Sequence, residues 1–598
     1  MNVYVALGAW VLVVHKPSIA TRAGDSARTA HKILAMSPIT TETGLRETVL
    51  AIASEVAEGH TGRQAITLER PPRSDFGDYS TNAALLLAPT AGMPPRQLAQ
   101  RLGETLAQRL GEQLERFEVA GPGFLNLFLA DAWHRAALAA VLDAGESFGR
   151  AGAPTPERII VEFVSANPTG PMHVGHARNA AYGDALARVL AFHGYQVERE
   201  FYVNDAGSQV FKLGQSIRAL ARGEEVPEDG YRGEYVGPLV AEVEAELGAA
   251  PGAAELDPGA LGAAAVRVMV GRMQSSLEAF RVQSFDHWAY ESSLHAPNPD
   301  LAGASSQPAS PVEHALALLE QSGHTYRSEG ALWLRTTDYG DDKDRVLVRS
   351  SGEHTYFASD IAYHQDKRER GFDRQIDVWG ADHHGYVARM KAAYEALGGD
   401  PGHLEMLIMQ LVHLVRRGER AQMSKRAGEF VTLEDLLGEI GVDAARWFLL
   451  SRSHDTTIDL DLDLAREQSN ENPVYYVQYA HARIASMLTK AGVERVEASL
   501  RTVGENGEPL EAPERALIKK LLAFPGEVRE SATRRAPHRI AAYALELAQQ
   551  FTAFYRDCRV LGAEPETLET QRLALCVACL NTIACALELL GVQAPTEM

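Results

Sequence analysis

Between Arg158 and Val203 the chain reads strand, Pro/Gly turn, helix, strand within about 45 residues, and no other feature restricts its fold as strongly. Arg158-Ile159-Ile160-Val161-Glu162-Phe163-Val164 is an apolar run of strand length, the following helix ends near Gly194, and Val197 to Val203 returns as a second strand. Two strands joined by a helical crossover lie parallel, and sheets of this α/β kind bind ligands at the carboxyl ends of their strands. Further strands are expected at Ile376 to Gly380 and within Leu404 to Val415. On the amino-terminal side, residues 37–145 alternate helices with short strands such as Gly123 to Leu129, and the Gly/Ala/Pro-rich stretch Gly149 to Pro156 reads as a linker. Residues 297–311, rich in Pro, Ala and Ser, read as a surface loop. Beyond about residue 465 strand signals vanish. Val474, Val477, Ile484, Met487 and Leu488 form one helical stripe, entered through Asn472-Pro473; Ile540, Tyr543, Ala544, Leu547, Phe551, Phe554, Tyr555 and Cys558 form another. The expected organisation is therefore a 1–35 extension, an α+β domain at 36–150, a parallel-sheet domain at 151–464 and an all-α bundle at 465–598.

Composition narrows the function classes. At 598 residues several cores are required, and 45% hydrophobic with 23% charged residues excludes a disordered chain. A net charge of −21 excludes a small basic protein that holds nucleic acid by bulk charge, but the charge is uneven: residues 470–598 carry −2 and the remainder −19. The near-neutral part includes a local cluster, Arg534, Arg535, His538 and Arg539, which reads either as a solvated helix end or as an RNA-facing patch. The four cysteines, Cys558, Cys576, Cys579 and Cys585, are too sparse for a disulfide framework and fit a cytoplasmic protein. Cys576 and Cys579 lie in the apolar helical run Leu573 to Leu590 with no second ligand pair, so core packing is expected and no metal site. Val3 to Val14 is apolar but shorter than the roughly 20 residues that span a bilayer. Its basic neighbours Lys16, Arg22, Arg28 and Lys32 follow it, the reverse of a signal peptide, so no membrane association is expected. A native start at Met36 is expected, directly before a helix whose Leu45, Val49, Ile52, Ala53 and Val56 share one face.

Two motifs carry chemistry. Ala166-Asn167-Pro168-Thr169-Gly170-Pro171-Met172-His173-Val174-Gly175-His176 lies between the first strand and its helix. Two imidazoles at a helix N-terminus, with backbone amides and the positive dipole end, suit a nucleoside triphosphate, and Gly175 allows close approach. A metal-binding pair or two structural histidines are the alternatives for the bare tetrapeptide. Far downstream, Gln422-Met423-Ser424-Lys425-Arg426 follows Arg416, Arg417 and Arg420 and precedes the capping pattern Thr432-x-x-Asp435. A basic loop there can close on a triphosphate and offset charge as pyrophosphate departs; alone, it would read as a solvated loop.

Together these strings resemble the class I aminoacyl-tRNA synthetases, whose HIGH and KMSK motifs match His173–His176 and Gln422–Lys425. Longer strings are similar to the arginyl-tRNA synthetase family: Tyr202-Val203-Asn204-Asp205-Ala206-Gly207-Ser208-Gln209, Trp379-Gly380-Ala381-Asp382-His383-His384-Gly385-Tyr386, Glu467 to Arg483, and in the first domain Asp75 to Ala83 and Val119 to Phe124. The resemblance implies a Rossmann-like catalytic domain, an amino-terminal tRNA-contacting domain and a carboxy-terminal anticodon-binding bundle. It also implies a monomeric enzyme that joins L-arginine to tRNA(Arg) with ATP and Mg²⁺ and usually needs bound tRNA before it activates arginine.

By the same resemblance His173, His176 and Lys425 act in catalysis, and Gly175, Gly380, Asp382, Met423, Ser424 and Lys425 hold ATP. Ser165, Asn167 and His383 match positions contacting the ammonium and carboxylate of arginine, and Glu162 lies at the same strand end. Tyr356 and Asp360, in Tyr356-Phe357-Ala358-Ser359-Asp360, and Glu291, in Trp288-Ala289-Tyr290-Glu291-Ser292, are candidates for the guanidinium, a buried cation that demands carboxylate acceptors. Arg534, Arg535 and Arg539 are candidates for tRNA. The chain departs from the pattern at Gln422, in place of the first KMSK lysine, at Gly170, where some members carry a lysine, and at its terminus, Ala594 to Met598, which lacks the usual arginine. A class I ligase for another amino acid and a non-catalytic tRNA-binding relative are the competing readings.

Overall fold

A computed structural model describes residues 2–7, 10–15, 41–56, 66–71, 73–150, 152–153, 155–248, 252–301, 309–420, 431–504 and 507–598. Met36 and the segment Gln422–Arg426, with Met423, Ser424 and Lys425, lie outside them. The amino-terminal apolar run forms two antiparallel strands, Asn2–Leu7 and Trp10–His15.

The βαβ unit is present as strand β1 (Arg158–Glu162), helix α1 (Val174–His193) and strand β2 (Gln196–Val203). Gly194, left-handed at φ 118°, ends the helix. Three more strands join: β3 (His287–Tyr290), β4 (Arg374–Gly380) and β5 (Leu404–Met409). All pairings are parallel, in the order β5-β4-β1-β2-β3. Strand order reverses between β1 and β4, so the crevice at their carboxyl ends is where such a sheet receives a ligand. Ile159, Ile160, Val161, Ile376 and Val378 are buried, as expected of strands covered on both faces. Helix α1 packs onto β1 at Gly183, where any Cβ would come within 2.2 Å of the Phe163 ring.

The run Leu404 to Val415 is two strands rather than one. Val412–Arg416 leaves the main sheet to pair with Ile458–Asp461 and, antiparallel, with Glu419–Arg420. Helices Ser208–Ala221, Val236–Leu247 and Pro258–Ala279 follow β2, and a three-stranded antiparallel sheet over residues 325–348 precedes helix α2 (Tyr356–Glu369). The 297–311 segment ends earlier than expected: Ser310 accepts from the Glu313 amide and caps a helix beginning at Pro311, while 302–308 fall outside the described residues.

Ahead of the sheet, helix Glu42–Val56 buries Leu45, Val49, Ile52 and Ala53 beside a four-stranded antiparallel sheet that includes Phe124–Leu129. Behind it, helix α3 (Leu433–Leu449) leads into the carboxy-terminal helices, among them α4 (Pro473–Ala491), His538–Asp557 and α5 (Glu566–Leu590). Helix α5 is long and apolar enough to cross a membrane, yet it is mostly buried among its neighbours, with Cys576 and Cys579 wholly inside. Arg446 of α3, fully buried, donates to the carbonyls of Leu590 (2.7 Å) and Phe280 (3.0 Å) and to Asp184 of α1 (2.5 Å). One guanidinium thus ties the end of the helical bundle to the helix carrying the HIGH residues.

Candidate active site

The turn from β1 to α1 is shaped by backbone rather than by glycine. Val164 (φ 68°) and Ser165 (φ 40°) both occupy the left-handed region, which is costly for non-glycine residues and especially for a β-branched valine, and such strain persists only where surroundings enforce it. The enforcing contacts are local. The Val164 amide donates to Asn179 Oδ1 (2.7 Å), Asn179 donates onward to the Val378 carbonyl (2.7 Å), and the Ser165 amide donates to the Phe163 carbonyl (3.0 Å). Ser165 Oγ donates to Glu162 Oε1 (2.8 Å) and accepts from the Tyr202 amide (3.1 Å). Beyond this turn Asn167 is exposed at the crevice.

His173 is the N-cap of α1. Its Nδ1 accepts from the Gly175 amide (3.1 Å), and His176 Nδ1 accepts from the His173 amide (3.2 Å), a reciprocal capping box built from two imidazoles. The rings stack with centroids 3.8 Å apart. Because each Nδ1 is an acceptor, each neutral ring carries its proton on Nε2. Burial lowers both histidines, and with His173 alongside His176 falls to about 3. The pair therefore presents two neutral N–H donors at neutral pH. A Cβ on Gly175 would lie 2.9 Å from the His173 ring, so glycine there keeps the face clear.

The KMSK-like residues are outside the described chain, but the segment after them is joined to the HIGH turn. The Val174 amide donates to the Val431 carbonyl (3.3 Å), the Leu433 amide donates to the Met172 carbonyl (2.8 Å), and His173 and Thr432 form a bridge. Thr432 and Asp435 cap α3 as their spacing suggests. Arg178, two residues past His176, is buried and donates to the carbonyls of Gln410, Ser453 and Thr456. Gly380 ends β4 on the other side of the crevice; Asp382 and His383 follow on a short 3₁₀ turn and are exposed, 3.4 Å apart.

An acidic pocket lies at the same sheet edge. Glu291 follows β3 and is buried, with the Asn204 side-chain amide beside its carboxyl and able to donate to it once turned. Burial, followed by the nearby carboxylates of Asp360 and Asp205, raises it to about 7. Burial also raises Asp360, although the Tyr386 hydroxyl donates to it. These are carboxylates desolvated and mutually repelling, an arrangement that a buried guanidinium would relieve. Tyr356, exposed at the start of α2, has its hydroxyl 3.7 Å from the Cβ position of Gly207. Glu162 differs from its neighbours here: its two oxygens are taken by Ser165 and by Lys367 Nζ (2.6 Å).

Of the three arginines expected to face RNA, Arg535 already has a protein partner. It is half-buried in a two-point pair with Glu405 of β5 (2.8 and 2.9 Å) and links the bundle to the sheet. Arg539 pairs with Glu527; Arg534 pairs with Glu530 along its own helix and remains exposed. Sequence reading overlooked the aromatic staircase of α4. Tyr475 and Tyr479 stack nearly parallel, and Arg483 lies over the Tyr479 and Tyr555 rings. The i, i+4, i+8 spacing of Tyr475, Tyr479 and Arg483 is the signal that would have revealed it. The terminal segment is strapped to this helix through Gln478 to the Gln593 carbonyl (2.9 Å) and His481 to the Pro595 carbonyl (2.7 Å).

A parallel sheet with a HIGH turn at its switch point, the segment Val431 to Leu433 joined to that turn and a helical bundle behind them define a class I aminoacyl-tRNA synthetase. Residues 43–129 match the arginyl tRNA synthetase N terminal domain, residues 138–224 and 301–485 the class I (R) catalytic domain, and residues 477–598 the DALR anticodon binding domain. The arginine–tRNA ligase of Bacillus subtilis (strain 168) is 43% identical over 540 residues, covering 89% of this chain and 94% of that one. That of Geobacillus thermodenitrificans is 43% identical over 546 residues with the same coverage. The Thermus thermophilus arginyl-tRNA synthetase structure superposes with a TM-score of 0.70 at 26% identity, covering 93% of this chain and all of that one. The chain belongs to the arginyl-tRNA synthetase family.

Proposed function

We infer that this chain activates L-arginine with ATP to arginyl-adenylate, transfers the arginyl group to the 3′-terminal ribose of tRNA(Arg), and releases AMP and pyrophosphate. The single observation that carries the amino-acid choice is the pair of carboxylates Glu291, buried after β3, and Asp360, half-buried on α2, both raised by burial, with the Asp360 charge raising Glu291 further. A planar cation with five donors satisfies both; a neutral or acidic side chain would leave them repelling.

The reaction needs no covalent enzyme intermediate. The arginine carboxylate attacks the α-phosphorus, the bond to pyrophosphate breaks, and a ribose hydroxyl then displaces AMP from the adenylate carbonyl. Catalysis is positioning plus charge stabilisation. His173 and His176 donate Nε2–H to phosphate oxygens and, being neutral, neither lose nor gain a proton. Gly175 lets the nucleotide approach α1, Gly380 and Asp382 receive the ribose, and Met423, Ser424 and Lys425 close over the triphosphate, with the Lys425 ammonium offsetting charge on the leaving pyrophosphate. Mg²⁺ arrives with ATP and belongs to the substrate; among the described residues there is no cluster of three metal-binding side chains. Ser165, Asn167 and His383 hold the ammonium and carboxylate of arginine, while Glu291, Asp360 and Tyr356 hold its guanidinium.

The proposed division of labour places tRNA contacts on residues 36–150, chemistry on 151–464 and anticodon reading on 465–598, in a monomer working in the cytoplasm. Phe76, 40% exposed with the Arg73 guanidinium 4.8 Å above its ring, and the Tyr475–Tyr479–Arg483 face support base stacking at the two outer domains. The test is ATP–pyrophosphate exchange with and without tRNA(Arg). Exchange dependent on arginine and on tRNA is expected; exchange driven by a different amino acid would overturn the assignment.

A further inference from the structure

Beneath the arginine pocket three carboxylates stand in a row across the sheet. Asp377 of β4 is in register with Glu162 of β1, and Glu162 with Glu200 of β2. Paired positions on adjacent parallel strands point to the same face roughly 4.8 Å apart, so the row would repel itself unless countered. All three are buried. The inner face of α2 counters them, through Tyr363, its neighbour His364 and, one turn on, Lys367. Lys367, fully buried, has Nζ 2.6 Å from Glu162, 2.9 Å from Asp377 and 4.0 Å from Glu200. The two nitrogens of His364 face acceptors, the Asp360 carbonyl (2.7 Å) and Asp377 (2.8 Å), so both carry protons. Arg370 reaches Glu200 at 2.6 Å, and the Tyr363 hydroxyl donates to the same carboxylate. His287 Nδ1 also lies 2.5 Å from Glu200, so the three carboxylates meet Lys367, His364, Arg370 and this imidazole.

Among the described residues the network meets the crevice at two points, Asp360, whose carbonyl accepts from His364, and Glu162. The oxygen of Glu162 that Lys367 leaves open accepts from Ser165 Oγ, and Ser165 sits in the left-handed turn that leads to Asn167. Burial raises the Glu162 carboxyl while the Lys367 ammonium opposes that shift, so without the lysine the anchor of Ser165 would lose its nearest counter-charge in a site with little water.

We propose that Lys367 is a positioning residue for arginine binding: it touches no substrate, but by clamping Glu162 between β1 and β4 it fixes Ser165 and the turn that presents Asn167 to the amino acid. ATP, held at the HIGH turn and Gly380, does not depend on this clamp. The inference rests on the assignment of Ser165 to the arginine pocket, so that assignment is tested separately.

The experiment is tRNA-supported ATP–pyrophosphate exchange on the full chain, with Michaelis constants for arginine and ATP measured in S165A, E162Q, K367M and the double variant E162Q/K367M. Losing a hydrogen bond to a charged group predicts an arginine KM raised about ten- to a hundredfold in K367M, with ATP KM within about twofold of wild type. If K367M leaves Glu162 uncompensated and fails to fold, the double variant, which removes both charges together, answers the question. Acting through Glu162, Lys367 adds nothing once Glu162 is neutral, so E162Q and the double variant share one arginine KM. A further rise of more than about threefold in the double variant, or parallel rises for ATP and arginine, overturns the proposal. A wild-type arginine KM in S165A overturns the pocket assignment and the proposal with it; a raised KM in S165A alongside an unchanged one in E162Q/K367M overturns the proposal alone.

Discussion

The carboxyl of Glu291 should make arginine recognition pH-dependent in a range where His176 is silent. Its rise from 4.5 to about 7 corresponds to roughly 3 kcal/mol favouring the protonated form of the empty pocket, at about 1.4 kcal/mol per pH unit. The sign follows from proton counts. Between pH 4.5 and 7 the native carboxyl binds a proton that the unfolded chain has released, so this group lowers stability as pH rises and ceases to do so above 7. In the proposed pocket arginine binding should reverse the effect, since a guanidinium held by Glu291 needs the ionised carboxylate and would then keep it ionised. The kcat/KM for arginine should therefore climb by up to about tenfold per pH unit below 7 and level off above it, while kcat at saturating arginine stays flat there. The assay is tRNA-supported exchange from about pH 5.5 to 8.5 with ATP saturating throughout. Because Asp360 is the largest charge raising Glu291, the D360N variant should bind arginine weakly yet show its inflection at lower pH. An arginine kcat/KM that is level across this range, or an inflection unmoved by D360N, would refute the reasoning. His176, lowered to about 3, cannot mimic the signal.

Three further outcomes are expected. K425A should slow adenylate formation by much more than tenfold, since Gln422 leaves Lys425 as the one lysine matching the motif; near wild-type single-turnover activation would reject its role. R446M strips the buried Asp184 carboxylate of a partner and orphans two carbonyls, so calorimetry should record about 3–5 kcal/mol less stability, and an unchanged melting curve would show the junction to be dispensable. R535A, which breaks the clamp on Glu405, should cost stability and leave the salt dependence of tRNA binding unchanged; R534A should leave stability within about 0.5 kcal/mol and reduce the salt slope by about one. Filter binding across a salt series distinguishes the two.

What the sequence determined by itself was everything encoded in local order. Strand, turn and helix between Arg158 and Val203 follow from hydrophobic periodicity and from Gly194, and the capping pattern at Thr432 and Asp435 is a contact three residues long. The HIGH motif was legible because phosphate recognition at a helix N-terminus needs particular residues at adjacent positions, and the KMSK-like string through its family resemblance. Tertiary structure alone decided which distant residues meet. Arg535 and Arg534 are neighbours in sequence, and nothing local shows that one reaches Glu405, 130 residues away, while the other stays in solvent. Lys367 reads as one more charge on a polar helix; only the registers of Asp377, Glu162 and Glu200 reveal the carboxylate row that requires it. The state of Glu291 is of the same kind. Its shift comes from the loss of water and from the fields of Asp360 and Asp205, quantities set by distance and burial, and a linear pattern of residues carries neither.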